Sequence, residues 1–220
     1  MPEVRRAHER FETVGDGTRT RHSFSYGRHY DPDNIGFGPV MAINEESIDP
    51  GAGYDEHHHA DADIVTWVLE GTLAHEDSTG QRGLVPPGLA QRLSAGEGVT
   101  HAERNASDTE PLRFVQMMVR SSNWGAPEYA QVDVPAGPGL HETVPVHADA
   151  RLLVARPGEG RLEVAVEHGA LLHVTRGVVR IDGAELGPGD EARIREPGTL
   201  VLTGGQDAEA LLWLIVSPRG

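Results

Sequence analysis

Asp55 to Gly71 reads DEHHHADADIVTWVLEG: three consecutive histidines, a short acidic break, then an apolar run that stops at a glycine. The run is rich in Ile, Val and Trp and short, which predicts a β-strand. Strand side chains alternate between faces. If residues 56–70 are extended, His57 and His59 share one face and His58 takes the other, toward a surface. Downstream, GEGVTHAERNAS carries His101 and Glu103 at the same i, i+2 spacing, so these two also share a face of a later strand. Two such pairs on adjacent strands, turned into a barrel, bring together three imidazoles and one carboxylate. That donor set suits Fe(II), Ni(II), Cu(II), Mn(II), Co(II) or Zn(II). Four protein ligands leave room for water or substrate on a five- or six-coordinate ion, as chemistry at a metal requires. A solvated polar patch explains His57 to His59 alone equally well. The second pair, His101 and Glu103, is what favours a metal.

Outward from this stretch, the chain continues in short apolar segments punctuated by 27 Gly and 15 Pro. PLRFVQMMV, RLEVAVEHG, ALLHVTRGVVRIDG and EALLWLIVS are strand-like in length and composition, and no long helical period competes with them. The reading is an all-β sandwich or barrel, with Trp67, Phe114 and Trp213 in its core. The polar, Pro/Gly-rich stretch from Ser121 to Pro145 reads as a connection between two halves, with an ordered turn at GAPEY.

The halves resemble each other. Each has an apolar strand ending in glycine (Gly71, Gly177) and a Pro-Gly turn further on (Pro87-Gly88, Pro188-Gly189), as an internal duplication would give. Counting from these landmarks, His57 and His59 correspond to Glu163 and Ala165, and His101 to Leu202. The second copy therefore lacks the imidazoles and is expected to have an apolar interior. His168 and His173 read as satisfied polar or surface residues, and His75 and Asp77, in HEDSTG, as turn residues.

Composition narrows the function. The 220 residues are 38% hydrophobic, enough for a core. With no cysteine, disulfides, thiolate metal sites and cysteine nucleophiles are excluded. All 19 basic residues are arginine, and without lysine there is no Schiff-base chemistry. A net charge of −15 argues against direct nucleic-acid binding and against anionic membranes. The charged N-terminus MPEVRRAHERFETV has no apolar signal region, and no run of about 18 apolar residues exists to span a bilayer. The expected location is the cytoplasm. No G-x-S-x-G elbow and no phosphate-binding glycine loop occurs.

The order H-x-H, VLEG (Val68–Gly71), HEDSTG (His75–Gly80), Pro87-Gly88, then Gln91 to Gly96 and His101-Ala102-Glu103 resembles the pirin family of the cupin superfamily. The segment from His22 to Tyr54 resembles that family's N-terminal signature. The likeness is specific from about residue 20 to 130 and loose over 145 to 220. It implies a bicupin of two face-to-face β-barrels: residues 1–130 an N-terminal metal-binding barrel, 131–220 a degenerate barrel without ligands. Carried over position by position, the family's ligands fall on His57, His59, His101 and Glu103. One divalent transition metal per chain is expected, with iron preferred among the six named above. The family usually has Pro between the first two histidines and Arg-Gly-Phe or Arg-Gly-Met after them; here stand His58 and Ala60-Asp61-Ala62, which alters the site entrance.

The resemblance further implies a dioxygenase of the quercetin 2,3-dioxygenase type. Its partners would be a small aromatic substrate and O2, with Glu103 as the catalytic base. The alternative it implies is a non-enzymatic, redox-sensing metal module acting through a protein partner.

Overall fold

The computed structural model describes residues 2–217, and a 3-10 turn at Ala7–Glu9 is the only helical element among them. The expectation of an all-β, two-barrel architecture holds. The N-terminal barrel pairs a seven-stranded sheet with a four-stranded one. The larger runs Glu128–Asp133, Leu89–Ser94, Ala62–Glu70, Leu112–Arg120, Val40–Ile48, Thr18–His22, Phe11–Val14 in spatial order. The smaller runs Gly53–His59, Val99–Asn105, Leu73–Asp77, Arg82–Val85. The C-terminal barrel repeats this with six and four strands, and every pairing is antiparallel.

The two large sheets face each other. Val65, Trp67, Val115 and Met117 of one pack with Leu152, Val154, Leu171, Leu211 and Trp213 of the other in one buried cluster. Each such side chain taken from water contributes about 1.5–3 kcal/mol, so this shared core joins the barrels firmly. Phe114 is buried as well, in a smaller cluster within the first barrel. A polar seam crosses the same interface. His173 Nδ1 lies 3.2 Å from Glu191 and its Nε2 3.7 Å from Glu45, while Arg10 bonds Glu45 at 2.9 Å. His173 is thus buried, hydrogen-bonded through Nδ1 and within ion-pair reach of Glu45 through Nε2, and His168 is exposed and bonded to Ser217.

Three features depart from the sequence reading. Residues 56–70 are not one strand: the chain turns a corner at Ala60-Asp61, where Asp61 takes φ +58, and enters the other sheet of the same barrel. Asp tolerates that left-handed conformation without glycine's help, so no turn signal marks it. The stretch Ser121 to Pro145 is more than a connection, because Glu128–Asp133 and Gly139–Glu142 extend the edges of the two large sheets. Edge strands tolerate the Pro and Gly that suggested a loop. A division at residue 130 falls within Glu128–Asp133, and Glu3–Arg5 crosses over to pair with Glu191–Ile194 of the second barrel. The last three residues of the expected second barrel, 218–220, lie outside the described residues.

The paired landmarks behave alike. Gly71 and Gly177 have φ +77 and +63, and at both a Cβ would press on backbone leading into the neighbouring strand of the large sheet, at Pro111-Leu112 and Asp207-Ala208. Only glycine meets both demands.

Candidate metal centre

Val99–Asn105 runs through the smaller sheet between Gly53–His59 and Leu73–Asp77. His101 lies directly across from His57, and Val99 across from His59. Alternation then turns His57, His59, His101 and Glu103 to the barrel interior and leaves His58 exposed, against Gly98. Ring centroids are 4.3 Å apart for His57 and His101, 4.9 Å for His57 and His59, and 5.1 Å for His59 and His101. A bulge sets Tyr54, rather than Asp55, across from Glu103, so Tyr54 and His57 both face inward despite their odd spacing.

The four side chains have the unpaired atoms of a ligand set. His59 Nε2, both nitrogens of His101 and Glu103 Oε1 are buried without a partner. Orphans of this kind each cost about 1–3 kcal/mol, and a bound cation would satisfy His59 Nε2, one nitrogen of His101 and Glu103 Oε1 together. His57 Nδ1 donates to the Asp55 carbonyl at 2.8 Å, which leaves Nε2 as the free lone pair. Ligand atoms of His57, His59 and His101 lie within 4.8 Å of one another, as do those of His75, His101 and Glu103.

Burial, with His57 and His58 adding repulsion, holds His59 down to about 4. Burial and the surrounding imidazoles take His101 down to about 3. Both are therefore neutral donors at neutral pH. Burial pushes Glu103 up to about 7, moderated by the Gln116 amide at 2.7 Å and reinforced by Glu46. Glu46 is itself raised to about 7 by burial, while Thr20 and Tyr54 hydroxyls, both at 2.6 Å, stabilise its charge.

A cavity of about 520 Å³ opens beside the cluster, bounded by Thr20, His22, Tyr26, Asn44, Glu46, Tyr54, His57, Glu103 and Gln116. Its polar wall comes from inward positions of Thr18–His22, Val40–Ile48 and Leu112–Arg120. None of these wall residues stood out in the sequence, although Gln116, a polar residue inside an apolar strand, was a readable signal. The turn role expected for HEDSTG holds for Asp77, whose Oδ1 accepts from Thr79 and Gln81. It fails for His75, which lies within Leu73–Asp77, buried, its ring 5.4 Å from that of His101.

The second barrel has the matching positions, one or two residues from where counting put them. Val164 pairs Leu200 and Leu162 pairs Leu202, as His57 pairs His101 and Tyr54 pairs Glu103. Val164, Val166, Leu200 and Leu202 thus replace the imidazoles and carboxylate, and all four are buried in the apolar interior. Glu163 and Ala165 face outward instead. The slip arises because Gly169–Arg176 is one residue shorter than Ala62–Glu70, so a count back from the glycine lands on the wrong face.

The Pirin family profile matches residues 4–119, and that of the quercetinase C-terminal cupin domain matches 135–213. A Mycobacterium tuberculosis protein named "Putative quercetin 2,3-dioxygenase" is 39% identical, over 96% of this chain and 93% of its own length. The quercetin 2,3-dioxygenase of Escherichia coli K12 is 31% identical over 96% of each chain. The crystal structure of the E. coli bacterial pirin YhhW in complex with nickel(II) superposes with TM-score 0.92 at 30% identity, covering 99% of this chain and all of the other. No described helix is long and apolar enough to cross a membrane.

Proposed function

This chain belongs to the pirin family, and on that premise we propose that it is a metal-dependent dioxygenase opening flavonol-like substrates with O2. The observation that carries this reading is the convergence of unpartnered donor atoms of His59, His101 and Glu103 beside an open cavity. The nickel-bound relative and the relatives named for quercetin 2,3-dioxygenase support it.

His57, His59, His101 and Glu103 would hold one divalent transition metal. Such an ion would supply Lewis acidity toward a substrate hydroxyl and, where it is redox-active, an electron-transfer partner for O2. The chain's own residues do the rest. Glu103 would release Oε1 from the ion to take the hydroxyl proton there, while Gln116 keeps hold of Oε2. The 520 Å³ cavity is of ordinary ligand-pocket size. Tyr54, Glu46, Asn44 and His22 offer hydroxyl partners along one wall, and the Tyr26 ring offers an apolar surface.

The test is to load metal-free protein with Fe(II), Ni(II), Cu(II), Mn(II), Co(II) or Zn(II) in turn. One equivalent should bind per chain by elemental analysis. Flavonol absorbance should then fall with stoichiometric O2 uptake for at least one ion. Bound metal without turnover on any flavonol would sink the dioxygenase reading and leave the regulatory one.

A further inference from the structure

Among the described residues of this barrel, two buried imidazoles lie outside the proposed ligand set: His22, bonded at both nitrogens to Asn44 and Thr13, and His75, whose surroundings fix it closely but satisfy only one nitrogen. Its Nε2 lies 3.2 Å from Oδ2 of Asp77, with both side chains essentially inaccessible. A carboxylate only accepts, so Nε2 carries the hydrogen. The other nitrogen, Nδ1, is buried with no partner. With no acceptor facing it, Nδ1 is a bare lone pair. The Tyr129 ring covers the imidazole at 5.1 Å, and its hydroxyl is held between Gln91 at 2.7 Å and Gln131 at 2.8 Å. Gly83, across the strand from His75, leaves room for that hydroxyl, which a Cβ there would overlap.

His101 has the complementary need. Both of its ring nitrogens are buried and unpartnered. A metal takes one. The other then bears hydrogen and requires an acceptor, as metal-bound histidines nearly always have. A donor atom of His75 lies within 4.8 Å of one of His101. Rotation of the His101 ring, which no hydrogen bond holds, about its broad terminal torsion narrows such a gap.

We infer that His75, oriented by Asp77, is a positioning residue that accepts the free N–H of metal-bound His101. The resulting chain, Asp77 to His75 to His101, fixes the tautomer of His101 and strengthens it as a donor. This inference rests on the metal reading above. It gives HEDSTG a task at the centre beyond shaping a hairpin.

The experiment uses Co(II) as the probe metal on metal-free protein, with wild type, His57→Ala, His75→Phe and His75→Asn compared. Outer partners of metal-bound histidines are typically worth about 10- to 100-fold in affinity. His75→Phe should lose that much, and His75→Asn, which keeps an acceptor near Nδ1, should recover part of it. In Zn(II)-loaded wild type, ¹⁵N spectra should show His75 protonated at Nε2 and bare at Nδ1. Wild-type Co(II) affinity in a folded His75→Phe protein overturns the inference, as does a proton or a metal bond on Nδ1 of His75. The ¹⁵N result stands even if the variants fail to fold. A wild type that binds no Co(II), or a His57→Ala protein that binds it normally, instead sinks the metal reading itself.

Discussion

Gln116 reaches across the barrel and donates its amide N–H to Oε2 of Glu103 at 2.7 Å, leaving Oε1 turned to the cluster. This bond is what lowers Glu103 against the pull of burial. Gln116→Leu removes it. The Glu103 carboxyl should then hold its proton more tightly, and Co(II) uptake should require a higher pH than in wild type. Isothermal titration across pH 5 to 9 measures the shift, and an unmoved profile would separate Gln116 from Glu103.

Metal uptake needs neutral imidazoles and an ionised carboxylate. His59 and His101 stay neutral down to about 4 and 3, whereas Glu103 ionises only near 7. Affinity for Co(II) should therefore fall about tenfold per unit of pH below 7 and level off above it. About one proton should be released per ion bound near pH 6. In Glu103→Gln that slope should vanish, so a slope unchanged in the variant assigns the proton to another group.

Glu103→Gln also separates ligand from base. At saturating metal, a lost ligand alone is compensated, whereas a lost base is not. Turnover of any flavonol that the wild type consumes should drop by about 10²- to 10⁴-fold. Wild-type turnover in the loaded variant would reduce Glu103 to a ligand.

His58 and His59 are neighbours with opposite duties. His58 is exposed over Gly98, and His59 Nε2 is buried and unpartnered in the cluster. Metal content after purification should be nearly unchanged in His58→Ala and strongly reduced in His59→Ala. Equal losses would mean that the two rings do not point to opposite faces in solution.

The polar seam between the barrels has its own pH signature. Burial opposes charge on His173, but bonds to Glu191 and Glu45 raise it above the ordinary 6.5. This contribution is complete below pH 6.5 and is lost as pH rises through the raised value. Burial likewise opposes charge on Glu45, yet His173 and Arg10 hold it down to about 2, and Glu191 is also lowered. Their contribution is complete above about 4.5 and is lost as pH falls. The stability gap between wild type and His173→Gln, read from urea midpoints, should be widest between pH 4.5 and 6.5. A gap that grows above pH 8 would contradict the charged seam.

The barrel interior was legible because strand periodicity is local: two residues fix a face, and His57, His59, His101 and Glu103 carry that pattern openly. What depends on counting across a turn or bulge was not legible. One residue more in Ala62–Glu70 than in Gly169–Arg176 sent Glu163 and Ala165 to the wrong face. The corner at Asp61 is made by an aspartate with positive φ, which the sequence does not advertise. His75 looked like a turn residue because HEDSTG does form a turn; only the pairing of His75 with Glu103 across the sheet reveals its inward direction. The wall of the cavity is built by strands remote in the chain, and single-strand patterns do not say which strands will meet.

The crossing strand Glu3–Arg5 places a timing constraint on synthesis. Its partner Glu191–Ile194 is made some 190 residues after it. At ordinary rates of translation the early strand waits roughly 10–40 s for its partner to emerge. The first barrel also leaves the apolar outer face of its large sheet uncovered through that interval, since Leu152, Leu171, Leu211 and Trp213 come later. The nascent protein is thus half-built and adhesive until its final strands arrive. Ribosome-bound intermediates ending before residue 190 should be the point at which chaperones engage it and at which premature release leads to aggregation.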